Sequence, residues 1–196
     1  MAAFSSGVFP PNELWDYATR TYARGRAKDS LLALQDRYGL DVNVLLFCCW
    51  VASSGRGRFR EGELAGALRA VSTWRGRVID PLHDLKLHLR GDVAPAPRTL
   101  SDDLRRVVVE CELHAEHVEV LMLHQAMTRA GTGTFDRDQQ IEDSLLNLFD
   151  YFRTAQVRHT DTDLGDMIEV LCAAFPDEMP VRIRNAVAGA AFRQRG

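Results

Sequence analysis

Apolar residues recur at intervals of three and four along nearly the whole chain, and seldom at two, so the pattern predicts helices. Asn12 opens a first helix through Leu14, Trp15, Tyr17 and Ala18 to about Tyr22, its side chain accepting from an amide that the first turn leaves unpaired. A second runs from about Ala27 to Tyr38, with Leu31, Leu34 and Tyr38 on one side and Gly39 as its stop. Asp41 then caps Val42 to Ser53, a short helix apolar nearly all round. Such a helix needs partners on several sides and is expected at the centre of the fold.

The later elements follow the same logic. Helices are predicted from Glu61 to about Val71, with Leu64, Leu68 and Val71 inward, and from Trp74 to Leu89, where Pro81 starts the second part or kinks it. Gly91 to Thr99 reads as a linker. Ser101, Asp102 and Asp103 open the longest helix, which extends to about Arg129. After a break at 131–134, Asp136 and Gln139 form a reciprocal cap for a helix ending near Ala155, striped by Ile141, Leu145, Leu148, Phe149 and Phe152. Two shorter helices, Thr162 to Phe175 and Val181 to Phe192, are separated by Pro176 and Pro180. No repeat or extended heptad array is expected. The predicted fold is an all-α, compact, irregular helical bundle with a central short apolar helix and a long helix in its later half. Residues 1–129 form its core, and 130–196 form a C-terminal helical extension packed onto that core.

The long helix carries the clearest chemistry. At roughly 100° per residue, Glu110, His114, His117, Leu121 and His124 fall on one stripe. Val107, Cys111 and Val118 flank it on one side, Leu113, Val120 and Met127 on the other, and Glu112, Glu116 and Glu119 lie opposite. The stripe is therefore expected to meet the rest of the protein, either as histidines bonded to carboxylates in a helix interface or as half of a metal site. For the metal reading the candidate ligands are Glu110, His114 and His117, with Glu142 or Asp143 from the following helix; imidazole with carboxylate suits iron, manganese or zinc. A di-iron bundle would need two Glu-x-x-His units, and Glu110 stands four residues before His114 rather than three, with no second unit downstream.

Composition narrows the classes. With 46% hydrophobic and 26% charged residues among 196, the chain can build its own core. Its net charge of −3 is unevenly spread: residues 51–100 hold nine Arg/Lys against five Asp/Glu, and residues 101–150 hold four Arg against eleven Asp/Glu. Opposed charge regions favour docking or self-association over nucleic-acid binding. Cys48, Cys49, Cys111 and Cys172 lack the spacing of a zinc or redox motif and read as reduced thiols. Ser53 to Arg58 is rich in Gly and Arg, but it is not a phosphate-binding loop, for it lacks the Gly-x-x-x-x-Gly-Lys pattern. No secretory signal and no membrane span is expected, and the location expected is cytoplasmic.

The stretch Leu14-Trp15-Asp16-Tyr17-Ala18, then Leu34-Gln35-Asp36-Arg37-Tyr38-Gly39-Leu40-Asp41-Val42-Asn43-Val44-Leu45-Leu46-Phe47-Cys48, then Trp74-Arg75 and Pro81-Leu82, resembles the bacterial helical family DUF2390 over approximately residues 12–125. The resemblance implies a cytoplasmic helical protein without an established activity, and it carries no catalytic assignment. His114 and His117 depart from a region that is usually rich in Glu, Ala and Arg. Around the motif, Gln35, Asp36 and Asn43 are placed to form a polar network joining two helices; the alternative is a small-ligand pocket lined by Trp15, Tyr38, Asn43 and Trp50.

These readings lead to a small helical protein that acts through protein association, as a homodimer or with an unidentified protein partner, with no cofactor expected. The alternative is a metal-dependent helical enzyme using the His/Glu site. If imidazoles at an interface of the long helix are buried while neutral, acid weakens that association.

Overall fold

Eight consecutive residues, Val44 to Val51, are buried on every side, and the remainder of the fold is arranged around them. The computed structural model describes residues 9–91, 93, 95–133 and 136–195, with side chains to Arg193. Asp92 and Ala94 of the expected linker, Thr134 of the expected break and residues 1–8 lie outside that set. Among the described residues every regular element is helical.

Helix α1 (Glu13–Tyr22) is capped by Asn12, whose Oδ1 accepts from Trp15 N at 2.9 Å. Helix α2 (Ala27–Tyr38) ends on Gly39 in the left-handed region, φ 66°. Asp41 caps α3 (Val42–Val51), accepting from Asn43 N at 2.8 Å. α3 then widens into a π-type turn (Ala52–Arg56) broken by Gly55. Helix α4 (Glu63–Trp74) passes through a second wide turn (Arg75–Ile79) into α5 (Asp80–His88). That turn lies directly before Pro81, whose ring would crowd the carbonyl four residues back in a regular helix. The long helix α6 (Arg98–Ala126), α7 (Arg137–Thr154), α8 (Asp161–Ala174) and α9 (Pro180–Arg195) complete the chain.

α1, α2, α6, α7 and α8 all contact α3, which supplies the several partners that an all-round apolar helix requires. α4 and α5 pack on α6, α8 packs on α2, and α9 packs on α7 and α8. Phe47 and Phe152 are the largest fully buried side chains of the core.

Several boundaries differ from expectation. α6 begins at Arg98 without a side-chain cap rather than at Ser101, which is itself buried within the helix. It also ends before Arg129, because that side chain has another role. Arg129 bonds Glu63 at 2.8 Å and donates to the carbonyls of Arg56 and Arg58, fastening the turn after α3. Gly131 and Gly133 press against the same turn, where an added Cβ would stand 2.2 Å from Ser54 O and 2.4 Å from Gly55 O. Asp136 caps α7 as predicted, while a reciprocal cap forms at α8, between Thr160 and Asp163.

Candidate functional site

Glu112 and Glu119 of α6 face inward, and the predicted histidine stripe is split, with His117 buried and His124 against Trp50. Glu112 is 5% exposed and Glu119 is fully buried, whereas Glu110, Cys111 and His114 are exposed. Apolar residues lie on more than one side of α6, so hydrophobicity alone does not fix its orientation. Polar partners on neighbouring elements do. Lys86 Nζ of α5 donates to Glu112 Oε1 at 2.6 Å, and His83 Nδ1 lies 2.9 Å from the same oxygen. Asn43 Nδ2 donates to Glu119 Oε2 at 2.7 Å. The indole of Trp74 donates to Ala115 O at 2.9 Å, pinning the end of α4 to the same face.

Arg75, in the wide turn between α4 and α5, links this face to the central helix. Its guanidinium pairs with the buried carboxylate of Asp41 and lies 3.8 Å from Glu119 Oε1. Asp41 in turn donates its backbone amide to the Tyr151 hydroxyl of α7 at 2.9 Å. Glu119 Oε1 itself has no hydrogen-bond partner. Burial pushes the Glu119 carboxyl up, opposed by the Asn43 hydrogen bond and by Arg75. Glu116 is pushed up to about 7, first by burial and then by Glu112, against the pull of Lys86. Two carboxylates flank a third that is reluctant to ionise.

His117 belongs to neither face. Its ring is stacked between Trp15, 3.8 Å away and nearly parallel at 3°, and Phe9 at 4.1 Å. Both of its nitrogens are buried without a hydrogen-bond partner, and burial lowers its pKa, so it serves as a neutral aromatic plate.

The outer face of α6 is apolar. Leu100, Leu104 and Val107 are 62%, 50% and 55% exposed, and Cys111 and His114 continue the same line. These five positions are spaced four, three, four and three, a short run of two heptads rather than an extended array.

The residues proposed as metal ligands are dispersed. Glu110 and His114 are exposed, His114 with its ring 5.6 Å from that of Phe9, and His117 lies within the aromatic stack. On α7, Glu142 pairs with Arg193 at 2.6 Å and Asp143 accepts from Gln139 at 2.9 Å. Among the described residues no group of three His, Cys, Asp or Glu is placed to hold a metal ion. The expected pocket residues also part company. Trp15 stacks on His117, Tyr38 donates to Asp163 at 2.8 Å, Asn43 bonds Glu119, and Trp50 lies under the Arg56 guanidinium at 4.4 Å. Trp50 also lines a shallow hollow of about 320 Å³ with Glu13, Asp16 and Tyr17, without the other three.

Sequence reasoning missed Arg75, Lys86 and Tyr151 as members of the inner network. Arg75 stood within the Trp74-Arg75 motif, but nothing local indicated that it would reach Asp41.

The DUF2390 pattern, described as a protein of unknown function, matches residues 13–123. The chain belongs to this family. The match takes in Asp41, Asn43, Arg75, Lys86 and all four glutamates of α6, and it stops before α7, so Tyr151 lies outside it. No curated protein and no solved structure matches the chain.

Proposed function

We propose that this member of DUF2390 works through protein association, with the outer face of α6 as its contact surface and the cytoplasm as its location. The observation that carries this reading is the line of exposed apolar side chains from Leu100 to Val107. Soluble proteins rarely leave contiguous large apolar side chains in water unless another surface covers them. The inner face of α6 supports the same division of labour. Its carboxylates are engaged with Lys86, His83 and Asn43, which hold the helix in place and leave the opposite face outward. Among the described residues no helix is long and apolar enough to cross a membrane, so a bilayer-spanning role for this apolar line has no support.

The test is photo-crosslinking inside the cell that makes the protein, from an unnatural benzophenone side chain replacing Val107. The expected result is a discrete species heavier than the 22.0 kDa chain, lost when Leu104→Glu is added. No crosslinked species from residue 107, with the same side chain incorporated and photoreactive at the exposed Lys28 of α2, would overturn the reading.

A further inference from the structure

We propose that α5 is a latched lid on the flank of α6, held shut through the single carboxylate of Glu112 and pivoting about the wide turn that precedes it. Its regulatory use, as a cover for surface beside the outer face of α6, rests on the association reading above.

α5 buries little. None of its nine residues, Asp80–His88, has a buried side chain, and Leu85 and Leu87 are 41% and 43% exposed. Leu82 is half-buried, and the buried apolar anchors lie just outside the helix, Ile79 before it and Leu89 after it. α3 is the opposite case, with eight consecutive residues buried. Exposing apolar surface is what makes opening costly, so α5 belongs to the part of the fold that opens first.

Its polar ties converge on one group. His83 Nδ1 lies 2.9 Å from Glu112 Oε1, and Lys86 Nζ bonds both oxygens of the same carboxylate, at 2.6 and 2.5 Å. Glu112 is buried beneath them. Whatever neutralises Glu112 or draws it elsewhere therefore frees both ties at once. The other charged groups around α5 do not replace it. Asp80 lies 3.7 Å from Arg75 Nε, but its side chain is 54% exposed, where such a pair contributes little. Glu116, one turn beyond Glu112, attracts Lys86 only through space.

The turn before α5 is built to pivot. Arg75, at its start, is fixed to the core by Asp41 and lies near Glu119. Gly76 follows, with nothing packed within 4 Å of the place a Cβ would take, and Arg77 is exposed. Wide π-type turns of this kind recur at functional sites in helices. Rotation after Arg75 swings α5 and leaves α4 in place, because Trp74 stays bonded to Ala115 O of α6. The side of α6 that α5 leaves carries Glu112 and, one turn before it, the buried Val108. Opening thus extends the exposed surface that begins at Val107.

Amide hydrogen exchange of the full chain, read by mass spectrometry, compares α5 with α3 at one pH. In the wild type α5 should exchange at least about a hundredfold faster than α3. Glu112→Gln keeps the side chain's shape and removes its charge; it should speed α5 at least about tenfold and leave α3 unchanged. Lys86→Met removes the tie from the other side and should act in the same sense. Circular dichroism checks that both variants are folded. Equal rates for α5 and α3 in the wild type overturn the proposal. So does an α5 rate that neither variant changes, or an acceleration shared equally by α3, which marks opening of the whole fold. Photo-crosslinking from residue 107 is then repeated with Glu112→Gln and should increase; the same yield in both chains overturns the regulatory use. If neither chain crosslinks while Glu112→Gln still loosens α5, the association reading falls together with that use, and the lid itself stands.

Discussion

The inner face of α6 buries carboxylates among apolar side chains, and its outer face leaves apolar side chains in water. Inside, Glu112 and Glu119 lie among Val108, Ala115, Val120 and Leu123, with Glu116 half-buried; outside lie Leu100, Leu104 and Val107. The inner carboxylates are tolerated because three separate elements bring cations or amides to them, and removing a partner leaves a buried charge uncompensated. The outer leucines have no counterpart within the described fold. A helix can therefore be oriented by where its charges are matched rather than by where its hydrophobic residues are densest.

The largest test of this contrast is Arg75→Met. Arg75 touches both Asp41 and Glu119, and both carboxylates are buried. Losing the guanidinium should destabilise the fold by about 3 kcal/mol, within the range found when one partner of a buried ion pair is removed. Urea denaturation reads the change directly. A shift below about 1 kcal/mol would show that Asn43 and the cap of α3 suffice to hold these carboxylates.

Glu116 tests the same face through pH. Its carboxyl is raised to about 7 in the folded chain, above its ordinary value near 4.5, so the folded state holds the proton more tightly than the unfolded state. Stability from this group is present below the unfolded value and declines as pH rises towards 7, after which the penalty is complete. Glu116→Gln should flatten that slope and stabilise the protein at pH 8 by on the order of 2 kcal/mol. His117 acts in the opposite sense. Its lowered pKa means that the unfolded chain binds a proton the folded chain refuses, so its contribution to stability falls as pH drops below about 6.5. His117→Phe removes that loss on the acid side and keeps an aromatic plate between Trp15 and Phe9. Denaturation series across pH 4 to 8, a window of about four units chosen around these two groups, should separate the opposing slopes.

Much of the architecture was legible in the sequence because it depends on local features. The apolar run from Val44 to Val51 could only be central, and Asn12, Asp41, Gly39 and Asp136 marked ends that the structure keeps. The orientation of α6 was not legible, since it depends on partners distant in sequence: Lys86 is 26 residues from Glu112, and Asn43 is 76 from Glu119. The early end of α6 has a similar cause, for Arg129 leaves the helical path to bond groups 66 to 73 residues away. As for the candidate site, a periodicity argument places His114 and His117 on one stripe, but it could not foresee that Trp15 and Phe9 would enclose His117 while Phe9 only edges the exposed His114.

The smallest expected effect on the fold itself is that of Leu104→Glu. Leu104 is half exposed, so a charged replacement reaches water without opening a cavity or burying a charge, and the isolated chain should change by no more than about 0.5 kcal/mol. The informative quantity is how this difference varies with protein concentration. Anything that binds only the folded chain raises its apparent stability by mass action, so a wild-type dimer should melt later as the protein is concentrated. The variant should not. Thermal unfolding of both chains, followed over a hundredfold range of concentration of about 1 to 100 μM, should give curves that converge on dilution and separate on concentration. A constant gap at every concentration would exclude self-association through the outer face and leave only a different protein to cover it.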